Sequence, residues 1–383
     1  MEKSAGSLKI AGHPEKMKLK AAWSIAICLA FAGITVSGQI PSGYYNQATG
    51  LSGAALKAAL HNIIDNHTVL SYGAVTEALK VTDEDTLNPN NVICLYTGWS
   101  YDKDEFGGLG NQWNREHVWS ASHGDFTDDP PEYTDLHHLR PCDASVNSAK
   151  SNKDFSKGIT QYIDGSGPTG CYTAPYIWEP RPSDKGDVAR MLFYMAVRYE
   201  GDNGERNLEL VSYVNSSPDY QPLYGNLDTL IAWHNQDPVN HWERKRNDSI
   251  YYIFQGNRNP FIDHPEYVEM IWGEEPVSHV AGFSANDITL TWNDATGEVL
   301  PDGYLIRRST TGFAEIPVPI DGVAVYNDAD NKNVAYGTGN CTFKGGAPGT
   351  TYYFRMFPYT GSGEAINYKT DGGVQEVMIS LNE

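Results

Sequence analysis

The sequence predicts an α+β amino-terminal region, mainly helical, followed by an all-β immunoglobulin-like sandwich. Apolar residues recur at helical spacing in several segments before residue 275, and short alternating segments with Gly, Asp and Asn between them follow Pro276. The length of 383 residues is sufficient for two domains. We therefore expect an amino-terminal segment over 1–38, a first domain over 39–275 and a second over 276–383.

Residues 1–38 have the features of an extension followed by a signal peptide. Lys18 and Lys20 precede an apolar run over 21–36, and small residues at 36–38 offer a cleavage site. Met17 is an alternative start. A membrane anchor is the competing interpretation, but the run is short for a full span. We expect a secreted or periplasmic protein with no membrane span after signal cleavage.

The first domain is predicted to contain four helices. Leu56, Leu60, Ile63 and Ile64 recur at helical spacing in the first helix. The predicted helices cover 51–67, 188–199, 227–234 and 239–254, with a buried strand over 91–96, a loop over 172–182 and an ordered loop over 257–265. In the last helix, Arg244, Lys245 and Arg246 are expected on one solvated face.

The second domain is predicted from period-2 alternation over 288–292, 304–308 and 352–356. Strands of this length, separated by turn residues over about a hundred residues, are typical of a β-sandwich.

Charge and cysteine content exclude two classes of function. A formal net charge of −20 argues against a protein that coats nucleic acid through bulk positive charge, so a nucleic-acid enzyme would need a local basic patch or a metal. Without a C-x-x-C spacing, a thiolate zinc site is not expected. Beyond Cys28 in the signal, Cys142 and Cys171 could form a disulfide, although four remaining cysteines allow three full pairings.

The segment over 114–155 combines imidazoles, carboxylates, carboxamides and cations, and it is the candidate site. A neutral imidazole such as His117 can deprotonate water. Glu116 and Asn147 are hard oxygen donors that suit Mg²⁺ or Ca²⁺. Neighbours on a regular strand point to opposite faces, so Glu116 and His117 can converge only at a bulge or a strand end.

Two alternatives remain open from the residues alone. His137 and His138, with Asp135 or His123, could form a zinc site, although no H-x-x-x-H spacing supports it. Asn147 could instead serve as a hydrogen-bonding partner within a helix that Asp143 caps.

The motifs at 114–119, 135–141 and 146–152 resemble the secreted and periplasmic bacterial endonuclease I family, whose members are ββα-metal, or His-Me finger, nucleases. The resemblance continues through 186–191, 233–239 and 255–265. It implies that His117 is the general base and that Glu116 and Asn147 hold one divalent ion, usually Mg²⁺, with Ca²⁺ or Mn²⁺ as substitutes.

The resemblance also implies hairpin strands near His117 and near 136–139, with the metal-bearing helix beginning around Asp143. His138 would take a supporting hydrogen-bonding role. Some relatives use an arginine from the connection between the two strands, but residues 120–134 contain no Arg or Lys.

The role of that arginine would fall to Arg140, Lys150 or a distant arginine, or would be missing. Three cations are predicted to contact phosphate. They are Arg140, Lys150 and Lys153, which would supply the local basic patch that an acidic protein needs.

The second domain resembles a fibronectin type III module. Trp292 would lie on its second strand, and Tyr352 would be the corner tyrosine. Such modules are usually spacers or adhesion units, so an extracellular glycan or protein is its expected partner.

The sequence therefore predicts an exported, metal-dependent, largely non-specific endonuclease that hydrolyses DNA, with RNA as a second substrate, and leaves 5′-phosphate ends. A non-catalytic exported binding protein with a degenerate nuclease scaffold is the competing prediction. A metal phosphatase acting on small esters is the third.

Overall fold

Helices dominate the part of the chain before residue 273. The computed structural model describes residues 39–126, 130–214, 221–273, 276, 278–297, 299–363 and 366–383. The helices are α1 Gly53–Ile64, α2 Tyr72–Thr82, α3 Ala121–Gly124, α4 Ala144–Lys150, α5 Lys185–Arg198, α6 Leu227–Gln236, α7 His241–Ser249, α8 Pro260–Asp263 and α9 Tyr267–Trp272. The predictions of helices over 51–67, 188–199 and 227–234 are confirmed by α1, α5 and α6. Across the described ranges, no helix has both the length and the apolar character to cross a bilayer. The predicted signal segment lies outside those ranges.

Helix α5 is the centre of the amino-terminal core. All of its residues are buried, so it packs against other elements around its whole circumference. Its buried guanidinium, Arg190, donates to both carboxylate oxygens of Glu243 at 2.5 and 2.8 Å. This bidentate pair satisfies a charge that could not otherwise remain in an apolar core.

Short strands surround these helices. They are β1 Asn91–Ile93, β2 Ser100–Asp102, β3 Trp113–His117, β4 Leu139–Asp143, β5 Asp154–Phe155, β6 Thr160–Asp164, β7 Gly167–Ala174, β8 Ile177–Glu179, β9 Glu209–Val211 and β10 Leu223–Gly225. β1 pairs with β2 and β3 with β4, both antiparallel, whereas β9 and β10 are parallel. A four-stranded sheet has the order β5-β8-β7-β6.

The prediction of a loop over 172–182 is wrong. Most of this segment belongs to β7 and β8, which form a hairpin that turns at Tyr176, where φ is 63°. The aromatic residues suggested an irregular segment, but Trp178 is fully buried against the core and Tyr172 is exposed on the other strand. Aromatic residues favour such half-buried strands.

Helix α7 has a different charge distribution from the predicted one. Arg244 is exposed, but Arg246 is buried on the opposite side, where its guanidinium contacts Asp83 at 3.3 Å. The prediction that all three cations of this helix face solvent is therefore wrong for Arg246. The predicted helix over 239–254 is α7 continued by a π-helical turn over Ile250–Phe254.

The cysteines form no disulfide among the described residues. Cys94, Cys142, Cys171 and Cys341 are all buried free thiols. Cys171 donates instead to the carbonyl oxygen of Tyr96 at 3.3 Å. The suggested bridge between Cys142 and Cys171 is not present.

The carboxyl-terminal region is β-rich. Its strands are β11 Ala281–Asn286, β12 Thr289–Asn293, β13 Gly303–Ser309, β14 Asn331–Ala335, β15 Asn340–Thr342, β16 Thr351–Thr360, β17 Asn367–Tyr368 and β18 Gln375–Ser380. One sheet has the order β11-β12-β15, and the other has β14-β13-β16-β17 with β18 also paired to β16. The three predicted strands of this region correspond to β12, β13 and β16.

The apolar cores fall into two groups, one on each side of residues 273–279. Two clusters use only residues before 273, and two others use only residues after 279. The described residues nevertheless belong to one compact unit, and the Asn367 amide donates to the Gly273 carbonyl at 3.4 Å.

Candidate active site

The end of strand β3 brings the first two candidate residues together. β3 pairs with β4 in antiparallel register, Glu116 opposite Arg140 and His117 opposite Leu139, and β3 ends at His117. β4 itself begins only at Leu139, later than the predicted strand over 136–139. β3 shows no bulge at this point, and Glu116 and His117 nevertheless both line the cavity next to its end.

Helix α4 follows β4 directly. The carboxylate of Asp143 accepts hydrogen bonds from the backbone amides of Ser145 and Val146 at 2.9 and 3.1 Å. This cap satisfies amides that would otherwise lack a partner at the start of a helix. The predicted cap at Asp143 is confirmed. Asn147, on the first turn of α4, is thereby fixed beside β3.

These elements enclose an open cavity of about 370 Å³ that we call the hairpin cavity. Its lining residues are Arg115, Glu116, His117, Ser120, Ala121, Ser122, Asn147, Ser151 and Asn152. The structure thus brings the three predicted catalytic and metal-binding side chains to one cavity.

His117 is held in one tautomer. Its Nε2 lies 3.0 Å from the carbonyl oxygen of Tyr133. Because a carbonyl oxygen only accepts, Nε2 carries the proton and Nδ1 keeps a lone pair. Burial, with a smaller contribution from the nearby His138, lowers the pKa of His117 to about 3. The ring is therefore neutral at pH 7 and can accept a proton.

Glu116 is buried and uses one oxygen for protein contacts. Oε1 accepts from the hydroxyl of Tyr96 at 2.8 Å and lies 3.3 Å from the ammonium of Lys150. No described residue donates to Oε2. Burial raises the pKa of Glu116, and the positive charge of Lys150 opposes that effect.

Asn147 is oriented in a similar way. Its Nδ2 donates to Oδ1 of Asn114 at 2.8 Å and to the carbonyl oxygen of Arg115 at 3.2 Å. These two acceptors identify the amide nitrogen. Oδ1 of Asn147 receives no hydrogen bond from the described residues.

The chemistry of these donors fits a hard divalent ion. Glu116 and Asn147 line the same cavity, and Oε2 of Glu116 and Oδ1 of Asn147 lack a protein donor within the described ranges. Mg²⁺, Ca²⁺ and Mn²⁺ favour carboxylate and carbonyl oxygens and keep water in their remaining positions.

A second group of ligand types lies elsewhere. His61, Asp65 and Asp202 could hold a metal ion, since their ligand atoms all lie within 4.8 Å of one another. However, the guanidinium of Arg198 lies 2.9 Å from Asp65 and already offsets part of the negative charge. This group does not line the hairpin cavity.

Lys150 is brought to the site, but in the interior. Its side chain is fully buried, and its ammonium donates to Ser120 Oγ at 2.7 Å and to the hydroxyl of Tyr224 at 3.0 Å. Lys150 therefore contacts Glu116 rather than the cavity. Lys153 donates to the carbonyl oxygen of Ala149 at 2.6 Å and does not line the cavity.

Arg140 is not brought to the hairpin cavity. Its Nε donates to Asp83 at 2.6 Å, and its side chain lines a different, larger cavity of about 480 Å³. Arg140 lies opposite Glu116 in the register of β3 and β4, but its guanidinium pairs with Asp83 and does not line the hairpin cavity. The prediction that Arg140 contributes to a basic patch at the site is therefore wrong.

The histidines of the zinc alternative have other partners. His137 donates through Nε2 to the carbonyl oxygen of Asn257 at 3.2 Å, and His138 to that of Glu132 at 2.9 Å. His123 contacts the carbonyl oxygens of Asn152 and Leu223. Together with Asp135 they form no metal-binding group among the described residues. The His138 ring lies 5.4 Å from that of His117 and packs behind it.

Arg115 is a charged lining residue for which the sequence predicted no role. It lies inside the motif at 114–119, next to Glu116, but within this motif roles were predicted only for Glu116 and His117. Its position immediately before Glu116, on a strand that ends at the site, was the available signal.

Comparison with known proteins identifies the family. The family model for endonuclease I matches residues 52–266, which is more than half of the chain. An extracellular ribonuclease of Bacillus subtilis (strain 168) is 54% identical over 229 residues, covering 60% of this chain and 78% of the relative. An extracellular ribonuclease of Bacillus amyloliquefaciens is 53% identical over the same length, with the same coverage. Endonuclease-1 of Buchnera aphidicola subsp. Baizongia pistaciae (strain Bp) is 24% identical over 132 residues, covering 34% of this chain and 46% of the relative. The chain therefore belongs to the endonuclease I family and is a nuclease, that is, a phosphodiester hydrolase.

Proposed function

We propose that this protein is an exported, divalent-metal-dependent endonuclease with little sequence preference. The observation that carries the proposal is that Glu116, His117 and Asn147 line one cavity at the end of β3. Members of the family generally depend on a divalent metal, and two relatives are named extracellular ribonucleases, which supports export. Family membership sets aside the interpretation as a non-catalytic binding protein.

In this proposal β3, β4 and α4 form the ββα-metal core. Glu116 and Asn147 would hold the ion through the two oxygens that lack protein donors. When bound, the ion stabilises negative charge on the phosphate and on the departing oxygen. Tyr96 and Lys150 keep the Glu116 carboxylate in place, and the positive charge of Lys150 favours its ionised form.

His117 performs the proton transfer. Its Nδ1 takes a proton from a water molecule while the water oxygen forms a bond to phosphorus and the bond from phosphorus to the 3′-oxygen breaks. The 3′-oxygen takes a proton from solvent. The products are a 5′-phosphate and a 3′-hydroxyl, and the hydrogen bond to the Tyr133 carbonyl steadies the ring throughout.

The proposed substrates are both DNA and RNA. Water is the nucleophile in this scheme, so the 2′-hydroxyl of RNA takes no part in the reaction and its absence from DNA is no obstacle. The sequence predicted DNA first. The names of the two Bacillus relatives support RNA as an equal substrate.

We also propose that residues 276–383 form a fibronectin type III-like sandwich. The hydroxyl of Tyr352 accepts from the amide of Ala347 at 3.1 Å and donates to the carbonyl oxygen of Gly345 at 3.2 Å. A tyrosine that bonds back to the preceding backbone supports the corner assignment. Binding of a glycan or protein by this region stays a prediction.

The test uses plasmid DNA and a labelled RNA, each incubated with the full protein. We expect EDTA to abolish cleavage, and Mg²⁺, Mn²⁺ or Ca²⁺ to restore it in some order, with 5′-phosphates on the products. Calorimetry should show weaker binding of the restoring ion to Glu116→Gln, a readout independent of turnover. Cleavage that resists EDTA, or 3′-phosphate products, would contradict the proposal. Hydrolysis of a chromogenic monoester but not of DNA or RNA would favour the phosphatase alternative.

A further inference from the structure

Arg115 is the one cation among the described residues that line the hairpin cavity. It shares this cavity with Glu116, His117 and Asn147. The three cations predicted to contact phosphate do not line it. A phosphate held beside His117 would therefore meet the side chain of Arg115 before any other positive charge on the cavity wall.

The guanidinium of Arg115 is held by neutral groups. Nη1 donates to the carbonyl oxygen of Tyr72 at 2.6 Å and to Thr76 Oγ1 at 3.0 Å. The central carbon lies 3.3 Å from the centre of the Tyr72 ring. Stacking on the ring and two bonds from one nitrogen fix the plane of the group.

The remaining donors of Arg115, Nε and Nη2, have no acceptor among the described residues, and no described carboxylate forms an ion pair with it. Other arginines of this region are neutralised internally. Arg140 pairs with Asp83 and Arg190 with Glu243. In a chain with a formal net charge of −20, Arg115 therefore lines the cavity without an ion-pair partner among the described residues.

We propose that Arg115 binds the scissile phosphate and stabilises the charge that develops on it. The inference rests on the proposed function and assigns the transition-state cation that the connection over 120–134 lacks. A guanidinium offers two parallel donors to two phosphate oxygens. Because Tyr72 and Thr76 already fix the group, little reorganisation is needed as charge accumulates.

The alternative is a purely structural role, in which Arg115 only fastens β3 to α2. Its bonds to Tyr72 and Thr76 are compatible with that role. A structural residue would change the free energy of unfolding and leave the turnover of the folded protein intact. A phosphate-binding residue would change turnover and the salt dependence of binding.

The experiment compares Arg115→Gln and Arg115→Lys with the wild type on DNA and RNA at a saturating concentration of the restoring ion. We expect Arg115→Gln to lower kcat about a hundredfold or more, as for loss of one charge-stabilising donor. Arg115→Lys keeps the positive charge but lacks the two parallel N–H donors of a guanidinium, so we expect an intermediate loss of kcat. Arg244→Gln is the matched control, since Arg244 is exposed on α7, and it should behave as the wild type.

Thermal unfolding of each variant checks that the variant is folded. If Arg115→Gln does not fold, the kinetics of Arg115→Lys provide the test. Turnover of a folded Arg115→Gln or Arg115→Lys variant that equals that of the wild type would overturn the inference and leave the proposed nuclease mechanism standing. Absence of cleavage by the wild type itself would overturn both.

Discussion

Two cavities of the nuclease region use charge in opposite ways. The larger one, about 480 Å³, is lined by carboxylates and guanidinium groups that neutralise one another. Asp83 alone contacts both Arg140 at 2.6 Å and Arg246 at 3.3 Å. The hairpin cavity, about 370 Å³, is lined by Arg115, Glu116 and Asn147, and no described residue donates to Oε2 of Glu116 or to Oδ1 of Asn147.

The difference teaches that cavity size does not identify the site. A buried charge must be paired, and when its partner is supplied by the protein the pair contributes to the fold. When the protein supplies no partner, the charge is available to bind a ligand or a substrate. The hairpin cavity is the smaller and the more open of the two, and it is the one whose polar groups are unsatisfied.

The largest expected effect comes from His117→Ala, which removes the proposed base from the hairpin cavity. We expect kcat to fall by about 10²–10⁴-fold, the range for loss of a general base. The free energy of unfolding should change too little to unfold the variant, so the loss of kcat cannot be attributed to unfolding. Steady-state kinetics and urea unfolding measure the two effects. His264→Ala, at a histidine outside both cavities, is the control. A kcat unchanged in His117→Ala would contradict the assignment.

The corresponding change in the larger cavity is Arg246→Met. It leaves Asp83 with one fewer partner and the carbonyl oxygens of Leu136 and Leu139, bonded at 2.6 and 2.7 Å, without their donor. We expect a loss of about 3–5 kcal/mol in the free energy of unfolding. The folded fraction should keep its kcat.

Urea unfolding tests this expectation against Arg244→Met on the same helix, which should change stability by no more than about 0.5 kcal/mol. Equal stabilities of the two variants would show that the larger cavity does not depend on its internal charge pairs.

The smallest expected effect is the contribution of His137 to the pH dependence of the free energy of unfolding. His137 lines the larger cavity. Burial lowers the pKa of His137 to about 4, although Asp135 opposes this, against an ordinary value of 6.5. Between these pH values the unfolded chain binds a proton that the folded chain does not. This histidine therefore lowers wild-type stability as pH falls, by at most about 1.4 kcal/mol per pH unit.

His137→Gln lacks this contribution, so the stability difference between wild type and variant should narrow as pH falls from 6.5 towards 4. Urea unfolding at several pH values measures it, and the difference should be constant above pH 7.5 as the internal control. A difference that is the same at all pH values would contradict the lowered pKa.

Much of the fold followed from local patterns. Helices α1, α5 and α6 and strands β12, β13 and β16 were predicted because periodicity reports which face of a segment is buried. The cap at Asp143 was predicted from residue type at the start of a helix. The hairpin β7–β8 was missed because aromatic residues with Pro give no clear period.

The candidate site was predicted unevenly for the same reason. Glu116, His117 and Asn147 stand in motifs and could be named from the sequence. The carboxylates that pair with the cations could not be named from the sequence. Asp83 is 57 residues from Arg140 and 163 from Arg246, so no local pattern shows that these charges meet.

The sequence by itself determined helices α1, α5 and α6, the family resemblance and the side chains able to do the chemistry, since these depend on residue type and on spacing along the chain. Only the tertiary structure decided which charges are neutralised internally and which face a cavity. That outcome depends on contacts between distant segments. It turned Lys150 into a buried partner of Glu116 and left Arg115 facing the space where a phosphate would bind.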